Sequence, residues 1–350
     1  MTAPSLAPSA APAGAPPKLP PQARVLMLVS GARAAQVVYA LTELGVADEL
    51  AGGPRTVAEI AAATGTHEPS LGRLLRAAAA IELLEALPDG RYGQTALSAA
   101  LVKDSPGSVR DLVLFNASDL DTLPWRLLSD GIRTGQPTFD QLFGTSFFTH
   151  LGAHPEAADL FDRAMTHMSV SSTAAYLAQY DFGELKRIAD VGGGRGFFLS
   201  AVLQKYPHLQ GALVDLPGAA AEAHDLFARR GVADRVTIEG GDFFTSVPAG
   251  YDAYVLKNVL HDWDDEDVVR ILGTVKAAMP ADGRVLICES VLSPPGRFDH
   301  AALLDLDMML KCGGKERDLE SWQSVIARAG FRLVNDPPIG ARAVLDCRLA

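Results

Sequence analysis

The chain has 350 residues, 48% hydrophobic and 21% charged, a globular balance rich enough to bury a large core and long enough for two domains. A formal charge of −11 argues against nucleic acid as the main partner, because polyanion binding needs a basic footprint. The three cysteines, Cys288, Cys312 and Cys347, are few, odd in number and far apart, which predicts reduced thiols in a cytosolic protein with neither a disulfide framework nor metal-ligand spacing.

In chain order, residues 1–22 are rich in Ala and Pro, with Lys18 as their one charged side chain. The prolines interrupt any signal-peptide core, so a disordered tail is expected there. No run approaches the roughly 18 consecutive apolar residues of a membrane span, so no membrane partner is expected. Helical order is expected from Arg24, where VLMLVSGARAAQVVYALTELGVADEL carries apolar residues at helical spacing. The spacing then predicts helices over 57–63 and 69–80 around a turn at Gly65. Asp89-Gly90 between two strand-like runs predicts a hairpin. These elements make a winged helix-turn-helix over 23–105.

A helical linker is expected over 106–180. It carries Phe143, Phe147, Phe148, Phe161, Met165 and Met168, a stripe whose simplest meaning is core packing. Beyond Asp181 the texture changes. The apolar runs KRIADVGG, GALVDLP, RVTIEGG, YDAYVLKN and GRVLICES alternate with helical segments, one of them over 265–279. Such alternation predicts a mostly parallel sheet with helices on both faces over 181–350. A helix over 319–329 and the strand-like runs FRLVND and RAVLDCRL close the chain.

Chemistry concentrates at the ends of these strands. Gly192, Gly194 and Gly196 follow Asp190 in the pattern D-x-G-x-G-x-G. A dinucleotide site wants G-x-G-x-x-G, and the third position counted from Gly192 is Phe197. The pattern therefore favours a ligand without a pyrophosphate. Asp215, ending the next strand, is placed for a ribose diol. Asp242 and Phe243, ending the third, suit an exocyclic amine and an adenine face.

The fourth strand runs into Lys257-Asn258-Val259-Leu260-His261-Asp262-Trp263 and the acidic stretch 264–267. That stretch reads as helix capping rather than as a metal site, since it lacks spaced His or Cys partners. His261 faces the expected cofactor crevice. Methyl transfer from a sulfonium needs a nucleophilic oxygen. A phenol, with a pKa near 10, needs a base, and imidazole can serve. Glu289 and Glu316 are the candidates to orient it.

Together DVGGG…G, VDLP, GGDFF, LKNVLHDWDDED, CES and GGKER resemble the O-methyltransferase class that includes plant caffeate and flavonoid enzymes and bacterial tailoring enzymes of aromatic polyketides. The resemblance implies an α/β fold: a Rossmann-like class I methyltransferase domain with an N-terminal α-helical winged-helix dimerisation domain. It implies S-adenosylmethionine as cofactor, S-adenosylhomocysteine as product, and a homodimer joined mainly through the winged helix. By the same resemblance Gly192, Asp215, Asp242, Phe243 and Lys257 contact the cofactor, with Gly194 in the same turn. His261 is the base, flanked by Glu289 and Glu316. Phe161, Met165, Asp262, Met308 and Met309 fall on the acceptor side. Plant members carry Asn-Pro where this chain has Lys311-Cys312, so acceptor identity does not transfer.

Two alternatives compete. A winged-helix DNA-binding regulator would need basic residues, yet over 54–100 Arg55, Arg73, Arg76 and Arg91 stand against Glu59, Glu68, Glu82, Glu85 and Asp89, a net −1. A relative that binds S-adenosylmethionine but hydroxylates or decarboxylates is opposed by the presence of His261 and Glu289.

Overall fold

A computed structural model describes residues 20–350; most of the tail expected over 1–22 lies outside the described residues. Pro21 and Gln22, its last two, instead open the helix Pro21–Glu43, three residues before the expected start, because proline is pre-set for the first helical turn. This helix also qualifies the membrane expectation. An 18-residue window of it has a mean hydropathy of 1.5 with 11% of the window buried, so by length and composition it is apolar enough to cross a membrane. Ser30, Gly31 and Arg33 interrupt the run and hide it from a count of consecutive apolar residues.

The helix-turn-helix forms as the spacing predicts. Thr56 and Glu59 make a capping box at the start of Val57–Thr64, and Gly65, at φ +66°, ends it in the left-handed region. The following helix, Glu68–Ala80, buries Leu71, Leu75 and Ala78. The wing is an antiparallel pair, β1 (Leu84–Ala86) and β2 (Tyr92–Gln94), turning at Gly90 with φ +83°. Leu41, Leu50, Ile60, Leu75 and Leu101 fill one core between these elements.

A run of short helices then leads to the long helix Pro155–Gln179. The aromatic stripe packs as a second core: Phe115, Phe139 and Phe147 are buried, with Phe143, Phe148, Phe161 and Met165 packed against them.

The main sheet contains β3 (Arg187–Val191), β4 (Gln210–Asp215), β5 (Val236–Gly240), β6 (Ala253–Lys257), β7 (Arg284–Val291), β8 (Phe331–Leu333) and β9 (Ala341–Leu349) in the order β5-β4-β3-β6-β7-β9-β8. β5, β4, β3, β6 and β7 are parallel, and β9 runs antiparallel to both β7 and β8. Apolar cores cover both faces, which is why the parallel strands read as unbroken apolar runs. The chain winds outward in opposite directions from β3 and β6. Such a switch point opens a crevice at the carboxyl ends of the strands; the helix Ala301–Lys311, unforeseen from the sequence, accepts the Glu316 amide through Asp305 at 2.9 Å.

Candidate active site

At the switch point the glycine turn meets the end of β6. Gly192 has φ +70°, and a Cβ there would lie 2.6 Å from Val259 Cγ2 and 3.6 Å from Phe243. Only glycine lets the turn settle on the segment that leads to His261, and the contact brings Gly192, Phe243 and Val259 to one place. Gly194, at φ +56°, has nothing within 4 Å of an added Cβ, so the turn keeps an open side where a ligand can lie. Its amide donates to Asp215 Oδ2 at 2.7 Å, and the Leu216 amide donates to Oδ1 at 2.7 Å. These bonds aim the Asp215 carboxylate, while burial raises its pKa.

Asp242 is exposed, and its Oδ1 accepts the Phe244 amide at 2.9 Å. Lys257 Nζ donates to Ser169 Oγ at 3.0 Å. Burial lowers the Lys257 pKa against the pull of Asp190. The same burial pushes Asp190 up to about 7 although Lys257 opposes it. The glycine cradle, the aimed carboxylate and the neighbouring ring of Phe243 fit an adenosyl ligand that has no pyrophosphate.

His261 lies in the short 3-10 turn Leu260–Asp262 and is buried. Its Nδ1 is 2.7 Å from Glu316 Oε1 and 3.5 Å from Glu289 Oε2. Its Nε2 is 3.7 Å from Asp262 Oδ1. The two glutamates do different work. Glu316 bonds the ring, whereas Glu289 Oε1 accepts the amides of Val259 and Leu260 at 2.9 Å each and so holds the turn's backbone as well. Burial favours the neutral ring, but Glu289, Asp262 and Glu316 outweigh it and push His261 up to about 10. Burial likewise lifts Glu289 to about 7 and Asp262 to about 6 against the attraction of the imidazolium. The three carboxylates therefore favour the protonated form of the ring.

On the acceptor side, Phe161 stands edge-on to Phe115, Phe147 and Phe148. Phe148 stacks on Trp263 at 5.9 Å, which joins the aromatic cluster to the turn that bears His261. Met308 is buried and Met309 half-buried on the helix Ala301–Lys311. That helix leads into Gly313-Gly314, against the backbone of His261 and Asp262. A Cβ on Gly314 would come within 2.1 Å of the His261 carbonyl oxygen.

Several functional residues escaped the sequence reading. Arg317, 1% exposed, donates to Asp265 Oδ1 through Nε at 2.9 Å and through Nη2 at 2.8 Å. It also bonds the carbonyls of Leu260 (3.1 Å) and Trp263 (2.9 Å). It therefore clamps both ends of the turn that bears His261. Asp264 caps the helix Asp265–Ala278 as expected, but Asp265 belongs to this clamp and to Lys315 at 2.7 Å. Lys311 is buried between Asp121 and Asp307, and Trp125 Nε1 donates to Asp307 at 2.8 Å. Asn258 takes φ +52°, with Tyr176 donating to its Oδ1 at 3.3 Å. The available signals were a charged residue in an apolar context and an Asn, which tolerates the left-handed region. Apart from Asp307, the partners lie dozens of residues away.

Comparison with known proteins agrees with this geometry. A family model described as an O-methyltransferase domain matches residues 125–332, and one described as an O-methyltransferase dimerisation domain matches residues 26–104. The chain is 38% identical over 318 residues, 91% of each chain, to mitomycin biosynthesis 6-O-methyltransferase of Streptomyces lavendulae. It is 39% identical over 321 residues, 90% of this chain and 92% of the relative, to 8-amino-8-demethylriboflavin N,N-dimethyltransferase of Streptomyces davaonensis. Among solved structures, an O-methyltransferase from neocarzinostatin biosynthesis, in complex with S-adenosyl-L-homocysteine and 1,4-dihydroxy-2-naphthoic acid, superposes with a TM-score of 0.80 at 37% identity. That match covers 91% of this chain and 96% of the other.

Proposed function

The chain belongs to the O-methyltransferase family as an S-adenosylmethionine-dependent enzyme of the bacterial secondary-metabolite class, and from that premise we propose that it methylates a hydroxyl of an aromatic small molecule with His261 as general base. The observation that carries this reading is the imidazole held 2.7 Å from Glu316 at the edge of the glycine-lined crevice. When bound, S-adenosylmethionine supplies an electrophilic methyl group on a positively charged sulfur. Gly192, Gly194 and Phe243 shape its cradle, Asp215 accepts from the ribose, and Asp242 and Lys257 stand at the neighbouring strand ends.

His261 accepts the proton of the acceptor hydroxyl. The ring must be neutral to take that proton, and Glu289, Asp262 and Glu316 then stabilise the imidazolium it becomes. Glu316 fixes the ring through Nδ1 and leaves Nε2 toward Asp262 and the acceptor side. Asp262, Phe161, Met165, Met308 and Met309 line the acceptor space, with aromatic and thioether groups suited to a flat ring system. An N,N-dimethyltransferase among the relatives makes an amine the competing acceptor. A neutral aromatic amine needs no base before attack, so the buried base favours the hydroxyl.

We further propose a homodimer joined through residues 26–104. The dimerisation-domain match and the exposed Val25, Leu26, Met27, Leu28 and Val29 support it, since such an apolar row marks an interaction surface.

The test is His261→Ala assayed with labelled cofactor on phenols and hydroxyquinones, read by product mass. Turnover should fall by about 10²–10⁴ while S-adenosylhomocysteine affinity stays unchanged. Equal turnover in mutant and parent would refute the role of the base. A product lacking the added methyl mass would refute methyl transfer itself.

A further inference from the structure

We propose that Arg195 is a positioning residue that couples occupancy of the cofactor crevice to the helix lining the acceptor pocket. The inference rests on the cofactor reading given above. Arg195 sits inside the glycine turn, between Gly194 at φ +56° and Gly196 at φ +77°. Its side chain does not turn into the crevice's own strands. Nη2 instead lies 2.8 Å from Asp159 Oδ1 and 2.5 Å from Glu222 Oε2.

Asp159 belongs to the helix Pro155–Gln179, two residues before Phe161 and six before Met165. It also pairs with Arg163, which reaches Asp111 Oδ1 at 3.3 Å, and His167 lies 3.3 Å from the same carboxylate. On the cofactor side, the Gly194 amide is bonded to Asp215. A continuous chain of contacts therefore runs from the carboxylate proposed for the ribose, through Gly194 and Arg195, to Asp159 and the helix that carries Phe161. Lower on the same helix, Ser169 accepts from Lys257, giving a second tie to the end of β6.

Exposure indicates what this link can do. The Arg195 side chain is 15% exposed, but Asp159 and Glu222 are 46% and 50% exposed. If the guanidinium is removed, Asp159 and Glu222 can hydrate, while the more buried Asp162, which Arg195 also attracts, can take up a proton; the tie between turn and helix is severed. A ligand that orders the glycine turn thereby orders the first turns of the acceptor helix through the Arg195 pair. That is the physical requirement for coupling: one contact network whose state both sites bias.

Hydrogen exchange of the full chain, with and without S-adenosylhomocysteine, tests this. In the parent the ligand should slow exchange over both 190–197 and 156–164. In Arg195→Gln, protection over 190–197 should persist, while that over 156–164 drops by about fivefold, the lower end of ordinary coupling between sites. Asp159→Asn leaves the glycine turn untouched and should give the same loss, and Arg195→Lys should restore part of it. Ligand protection over 156–164 that is equal in the parent and both variants, or absent in the parent, overturns the proposal. If the parent gains no protection over 190–197, the cofactor reading fails first and takes the inference with it.

Discussion

Replacing Glu316 with Gln isolates the electrostatic part of the active site. Glu316 Oε1 lies 2.7 Å from His261 Nδ1, and glutamine is close to isosteric, so its amide oxygen can keep the ring in place while the charge is lost. In the parent, Glu289, Asp262 and Glu316 together overcome burial and carry the imidazole from 6.5 up to about 10. Losing a hydrogen bond to a charged group costs about 1.5–3 kcal/mol, so Glu316→Gln should lower the ring's pKa by about one unit or more.

The sign follows from the chemistry. Only a neutral ring can take the acceptor's proton, so kcat/KM rises as pH climbs through the ring's pKa in the free enzyme. The acid limb of the parent should therefore lie well above 6.5, and in Glu316→Gln it should move down by about one unit. The plateau should fall, because the less basic ring drives proton transfer less strongly. The positive sulfur of the bound cofactor opposes protonation too, so the limb in kcat should lie below that in kcat/KM. Initial rates with labelled cofactor and a phenolic acceptor, from acidic to alkaline pH, give both limbs. A limb at 6.5 in the parent, or at the same pH in parent and variant, would refute the reasoning.

Three other outcomes follow from the geometry. Asp215→Ala should weaken S-adenosylhomocysteine binding by about 10- to 100-fold, the cost of losing about 1.5–3 kcal/mol of charge-assisted hydrogen bonding; unchanged affinity by calorimetry would remove Asp215 from the site. Gly314→Ala forces a Cβ to within 2.1 Å of the His261 carbonyl oxygen, so it should cost about 1–3 kcal/mol of stability and lower turnover more than cofactor affinity, seen in thermal melts and kinetics. Lys311→Met leaves Asp121 and Asp307 buried without their cation and should cost about 3–5 kcal/mol. Adding Asp121→Asn to that variant should recover part of the loss in urea unfolding.

Local chemistry explains why so much of the fold could be read directly. The glycine turn behind β3, the capping box at Thr56 and Glu59 and the Asp89-Gly90 hairpin each depend on neighbours within a few residues. The parallel strands, being covered on both faces, announce themselves as apolar runs. The helix Pro21–Glu43 is legible from its helical spacing, but the polar residues within it hide its apolar character from a count of consecutive apolar residues. The helix Ala301–Lys311 was missed although its apolar residues fall at helical spacing.

The sequence alone determined which residue types sit at which strand end, because the order of strands and turns is a one-dimensional property: glycines after β3, Asp215 after β4, Asp242 and Phe243 after β5, His261 after β6. Only the tertiary structure decided how these groups act on one another. Glu316 lies 55 residues from the ring it bonds, and the Arg317 clamp reaches back 52 residues to Asp265. Burial and charge at such contacts reverse the ordinary preference of an imidazole, raising its pKa to about 10 in a place where burial alone would lower it. The reason is physical: desolvation and Coulomb energy depend on distance and exposure, and neither quantity exists until the chain has folded.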